Sequence, residues 1–164
     1  PAGFSICSVS DKIIEKSLKI PKKGYFLDIQ VYEKYYKKSQ TPTTPSLPHM
    51  FALRKMLDKI NLEGLDNRWN RHIEMSKYAR NWAINHGQQL FPEQGCESYT
   101  LTCIKNIKNW DVNSIYEKLL SRGFRMDRGY GNLKGKVFRI PHMGNVYMND
   151  LKEYLEIMDE IICQ

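Results

Sequence analysis

Arg139 stands between Phe138 and Ile140 in an apolar run, and a charged group in such a run needs a partner. Two readings are open. One is an edge-strand arginine that reaches water or an ion pair. The other is a guanidinium held rigidly enough to grip a carboxylate in two parallel hydrogen bonds. The Gly-Tyr-Gly-Asn-Leu-Lys-Gly-Lys run at 129–136 and the Pro141-His142-Met143-Gly144 turn flank it. Glycines of this kind let a ligand come close to the backbone. A second stretch, Gln-Thr-Pro-Thr-Thr-Pro at 40–45, precedes an apolar pattern of helical spacing: Leu47, Met50, Phe51, Leu53, Leu57 and Ile60. Thr44 fits an N-cap, with Pro45 at the first helical position. The free N–H groups of a helix start, joined by the hydroxyls of Thr41, Thr43 and Thr44, suit a phosphate. On this segment alone the plainer reading, a capped helix after a proline-rich loop, comes first, because N-caps are common and phosphate sites are not.

The elements that must position these residues follow from periodicity. Residues 3–9 read as a strand, and Ser10 or Asp11 caps a short helix that Pro21 ends. Residues 25–32 are β-prone. Asn61 to Gly64 breaks the chain before a long helix over 65–85. Leu65, Trp69, His72, Ile73, Ser76, Ala79, Trp82 and Ala83 line one face of it. His72 reads as a packed histidine, having no His or Cys partner at i+3 or i+4. Residues 98–104 alternate as a half-buried strand, with Tyr99, Leu101 and Cys103 on one side. Asp111 caps a helix ended by Gly123, residues 124–126 start a strand, and residues 137–140 form another. Asn149 caps the last helix. From Tyr99 onward this is a small α+β layer.

Composition bounds the function. The 164 residues carry a net charge of +7, with 41% hydrophobic and 26% charged residues, as in an ordinary globular chain. Residues 1–62 hold 11 Lys+Arg against 5 Asp+Glu, and residues 63–164 hold 14 against 13. The lysines between Lys12 and Lys38 come singly or in pairs and form no RNA-binding motif, so a solvated surface is expected and no nucleic acid. No run approaches the ~20 apolar residues of a membrane span, and no secretory signal is visible, so a cytoplasmic chain is expected. Cys7, Cys96, Cys103 and Cys163 are scattered, which argues against zinc or any other metal, and Cys7 and Cys103 read as packing residues. The chain starts at Pro1 without an initiator methionine, which reads as a fragment or a processed chain.

Taken together, several segments resemble the class V, fold-type-I pyridoxal-phosphate aminotransferases of the alanine–glyoxylate and serine–pyruvate group. They are Pro-Ala-Gly-Phe-Ser at 1–5, Thr-Pro-Thr-Thr-Pro at 41–45, Ala-Leu-Arg at 52–54, Glu-Gly-Leu-Asp-Asn-Arg-Trp-Asn-Arg-His at 63–72, Gly-Lys-Val-Phe-Arg-Ile at 135–140 and His-Met-Gly at 142–144. The resemblance implies an α/β fold: the end of the large cofactor domain over 1–62, then a linking helix and a small α+β C-terminal domain over 63–164. It implies that Thr43 and Thr44 reach the phosphate of pyridoxal 5'-phosphate in the partner subunit of a homodimer. Gln40 stands where some relatives have a tyrosine that touches the same phosphate. Arg139 would bind the substrate carboxylate. The implied reaction moves an amino group from a small amino acid, alanine or serine, to a 2-oxo acid, pyruvate or glyoxylate. The family's Schiff-base lysine lies before the segment resembling 1–5, so no catalytic lysine is assigned here and this chain alone is expected to be inactive. A non-catalytic subunit that needs a separate lysine-bearing polypeptide remains the alternative.

Overall fold

The structure is a computed structural model, and it describes residues 5–21 and 23–163. The chain divides into two compact units, residues 1–62 and 63–164. In the first, Ser10 precedes helix α1 (Asp11–Leu18), and Asp28 accepts a hydrogen bond from the Gln30 amide to cap α2 (Ile29–Tyr36). That cap turns the β-prone stretch at 25–32 into a turn and a helix: a satisfied N-cap favours helix where no neighbouring strand offers a ladder. Helix α3 (Leu47–Glu63) follows. Residues 5–10 form no strand and are exposed, Cys7 among them. Gly3 and Phe4 lie outside the described residues. A strand needs a paired neighbour, and the described part of this unit contains no other strand.

The second unit carries the core. Gly64, at φ 81°, separates α3 from α4 (Leu65–Asn85), so the break is one residue and not four. The sheet has three antiparallel strands in the order β1 (Gln89–Leu90), β2 (Leu101–Lys105), β3 (Val137–Pro141). Thr102 pairs with Ile140 and Ile104 with Phe138, so these four share the inner face. Met75, Ala79 and Ala83 of α4, Leu119 of α5 (Val112–Ser121) and Leu155 and Met158 of α6 (Met148–Ile162) pack on that face. Burying each of the Met and Leu side chains among them contributes roughly 1.5–3 kcal/mol.

Four expectations shift here. The inner face of β2 holds Thr102 and Ile104, while Leu101 and Cys103 are half-buried. Thr102 tolerates burial because its hydroxyl is hydrogen-bonded to His142 Nε2 at 2.9 Å. Residues 124–126 form no strand; only Asp127 makes a single bridge, to Arg139. Tyr147, not Asn149, precedes α6, and its amide donates to Asp150 Oδ2. Leu65 and Trp69 at the start of α4 are exposed, whereas His72, Ser76, Ala79, Trp82 and Ala83 are buried as the periodicity predicts.

Candidate functional site

Strand alternation sends Phe138 and Ile140 inward and Arg139 to the other face, opposite Cys103. There the guanidinium meets Asp127. Arg139 Nε donates to Asp127 Oδ1 at 2.7 Å and Nη2 to Oδ2 at 2.5 Å. The two backbones are registered as well, with the Arg139 amide donating to the Asp127 carbonyl at 2.9 Å. Asp127 Oδ1 also accepts from the Gly129 amide at 2.8 Å. Gly129 has φ +83°, and a Cβ there would sit 2.5 Å from the Leu133 carbonyl oxygen, so glycine is required for the loop to close behind the aspartate. The hydrogen bonds from Arg139 hold the Asp127 carboxyl below its ordinary value, and Asp127 raises Arg139 further. Both side chains stay reachable, at 34% and 41% exposure. A cleft of about 410 Å³ opens beside Asp127, lined by Tyr116, Arg125, Met126, Asp127, Arg128 and Lys134 among others, while Arg139 is not part of its lining. Arg128 lies over the Tyr116 ring and bonds Asn113, which orders one wall of it.

The turn that follows Arg139 is fastened from the start of α4. Glu63 pairs with Arg68 at 2.8 Å and Arg71 at 2.6 Å. Both arginines then donate to the Gly144 carbonyl, and Arg71 also donates to the Val146 carbonyl. Arg71, then Arg68, hold the Glu63 carboxyl down at about 2. One turn on, the His72 ring is hydrogen-bonded to the His142 carbonyl at 2.9 Å. Burial lowers His72, and burial pushes His142 down to about 4, aided by His72 and Arg80. His142 Nδ1 has no hydrogen-bond partner among the described residues. These arginines are spaced like solvated helix residues, and only the fold shows that they staple the loop beside Arg139.

The other candidate stretch belongs to the first unit. Helix α3 begins at Leu47, so Thr44 is not its N-cap and Pro45 is not its first residue. Ser46 stands directly before the helix, its carbonyl accepting from Met50 and its hydroxyl 2.6 Å from His49 Nδ1. A second proline, Pro48, sits in the first turn, where the missing N–H is tolerated, so both start points satisfied the sequence pattern. Thr41 donates to the Thr43 carbonyl. Gln40, Thr43 and Thr44 are exposed, and neither threonine hydroxyl at 43 or 44 has a partner among the described residues. Gln40 and Thr41 line a cleft of about 710 Å³ with Tyr36, Pro45 and Leu47. Exposed, neutral hydroxyl and amide donors fit a phosphate. The two candidate sites lie in different units.

Asp127 is the residue that sequence reasoning missed. Its signal was weak: a carboxylate before a glycine-rich loop, twelve positions ahead of an arginine that lacked a partner. Among the described residues no group of three or more His, Cys, Asp or Glu side chains could hold a metal ion, and no helix is long and apolar enough to cross a membrane.

No protein-family profile matches the chain. An uncharacterized aminotransferase of Methanocaldococcus jannaschii is 36% identical over 148 residues, 88% of this chain and 38% of that protein. A serine–glyoxylate aminotransferase of Arabidopsis thaliana is 33% identical over 157 residues, 89% of this chain and 37% of its own length. Among solved structures, an alanine–glyoxylate aminotransferase of Nostoc sp. superimposes with a TM-score of 0.82 at 26% identity, covering 94% of this chain and 42% of the other. The chain thus spans about two-fifths of the length of the relatives it matches, and corresponds to a C-terminal portion of them.

Proposed function

Since the chain belongs to the class V aminotransferases, of the alanine–glyoxylate and serine–glyoxylate group and the fold-type-I architecture, we propose that it supplies the substrate-carboxylate site of a pyridoxal-phosphate-dependent transaminase. The observation that carries this reading is a guanidinium fixed on a strand and oriented by one carboxylate, Asp127, which itself lines an open cleft. Arg139 takes the α-carboxylate of the amino donor, and then that of the 2-oxo acid acceptor, in the same place. Its contribution is positioning and charge pairing. Gln40, Thr43 and Thr44 donate hydrogen bonds to the cofactor phosphate, presented to the other subunit of a homodimer. When bound, the cofactor supplies an electron sink for the α-carbon. The lysine that holds it and moves the α-proton is supplied by polypeptide beyond these 164 residues, so this chain alone is inactive. Alanine or serine serves as donor, with pyruvate or glyoxylate as acceptor, and the enzyme works in the cytoplasm.

The test is Arg139→Lys in the complete enzyme. The substitution keeps the charge and loses the fork. A charge-assisted hydrogen bond is worth roughly 1.5–3 kcal/mol. At ~1.4 kcal/mol per decade, kcat/KM for the amino donor falls by about one to two orders of magnitude while cofactor content stays intact. An Arg139→Lys enzyme with unchanged kcat/KM and only a lower melting temperature would make Arg139 a structural ion-pair residue.

A further inference from the structure

A guanidinium presents two edges on which a carboxylate can dock with two parallel hydrogen bonds: the side edge, Nε with Nη2, and the end edge, Nη1 with Nη2. Asp127 occupies the side edge of Arg139. It does not use the end edge. The aspartate is itself held at three points, by the Gly129 amide, by the Arg139 amide on its carbonyl and by the guanidinium. A loop that needs glycine at 129 sets its place.

We infer that Asp127 is the positioning residue of the substrate site: it clamps the side edge of Arg139 and so presents the end edge to the incoming carboxylate. The inference rests on the reading of Arg139 given above. A carboxylate ligand is therefore received end-on, with Asp127 staying in place, and is not exchanged for it. The clamp has a cost in charge, since a neutralised guanidinium attracts distant anions less. It gains direction, which for a long four-torsion side chain is the larger factor. Arg125 and Lys134 on the wall of the adjoining cleft form no ion pair among the described residues, and they keep that wall positive.

The experiment uses the complete holoenzyme and two readouts. Asp127→Asn keeps the shape but leaves one acceptor where two were. The KM for the amino donor and the dissociation constant of propionate, a carboxylate with no amino or keto group, both rise about tenfold, and kcat falls by less than KM rises. The same two constants unchanged or lowered, with only a lower melting temperature, would overturn the inference. If Arg139→Lys, run in parallel, also left both constants unchanged, the reading of Arg139 itself would fall. If Arg139→Lys weakened both while Asp127→Asn did not, only the role of Asp127 would. Should Asp127→Asn not fold, the wild type suffices. Propionate added to arginine-labelled holoenzyme shifts the Arg139 Nη1 nitrogen signal and leaves Nε–H bonded to Asp127. Loss of the Nε–H bond on addition of propionate would show displacement, and would overturn the clamp.

Discussion

A charged residue in an apolar run reads from sequence as a question about its partner, and Arg139 answers with Asp127. The oddity of Arg139 was legible because strand alternation makes a lone charge stand out. Asp127 was hidden because it enters through one isolated bridge, which leaves no periodic trace. His142 was hidden too, since its neighbours His72 and Thr102 come from other elements. It has a measurable consequence. Its folded pKa of about 4 lies below the 6.5 of an ordinary histidine, so the unfolded chain takes up the proton first as pH falls. Stability from this group is whole above about pH 6.5 and is lost progressively toward about pH 4, by on the order of 3 kcal/mol. His72, lowered as well, acts in the same direction. Glu63, held at about 2, gives way only below about pH 4.5, so the upper part of the window belongs to the histidines. Denaturant unfolding of the complete enzyme at about pH 7 and about pH 5 should show about 2 kcal/mol of this loss, and His142→Gln should flatten it. An unchanged slope in the variant would assign the effect to other groups.

At the scale of elements, the strands over 98–104 and 137–140 were read in place, but other strand readings failed where the helices mostly held. Helix α4 runs over the range that its apolar spacing predicts, and Asp111 caps α5 through the Asn113 and Ser114 amides. Helices carry their hydrogen bonds locally, so their signals are local. Strands depend on partners elsewhere, which is why residues 5–10 and 124–126 stay unpaired as strands and residues 25–32 turn into a capped helix. Helix α3 shows the other limit: its apolar residues have the right spacing, yet none is buried. Leu47, Phe51 and Leu57 are exposed to 53%, 69% and 45%, so spacing gave the helix and not its burial. The start of α3 at Leu47 also changes what Thr44 can do. Thr44→Val removes no cap, so the unfolding free energy of the complete enzyme stays within about 0.5 kcal/mol of the wild type. If Thr44 has the proposed role, cofactor affinity falls, because a hydroxyl donor to the phosphate would be lost. A fall in stability of about 1 kcal/mol with unchanged cofactor affinity would return Thr44 to a structural role.

On the scale of the whole molecule, fold and family were legible because ordered motifs with fixed spacing are far more specific than any one of them. Glu63 to His72 and His142 to Gly144 were matched as separate stretches, and the structure joins them: Arg68 and Arg71 seize the Gly144 carbonyl, and His72 the His142 carbonyl. Their joint presence in the sequence thus has a physical reason, which is to hold the turn beside Arg139. Among the described residues, most lysines of the first unit stand at exposed positions, whereas Lys23 is half-buried and pairs with Asp28. In the proposed function, Arg139 receives the substrate carboxylate. The most direct measurement is a crystal structure of the complete holoenzyme with its 2-oxo acid bound. The carboxylate should lie within hydrogen-bond distance of Nη1 and Nη2 of Arg139, with Asp127 still on Nε. A carboxylate bound elsewhere, with the Arg139–Asp127 pair untouched by it, would rule out Arg139 as the carboxylate site.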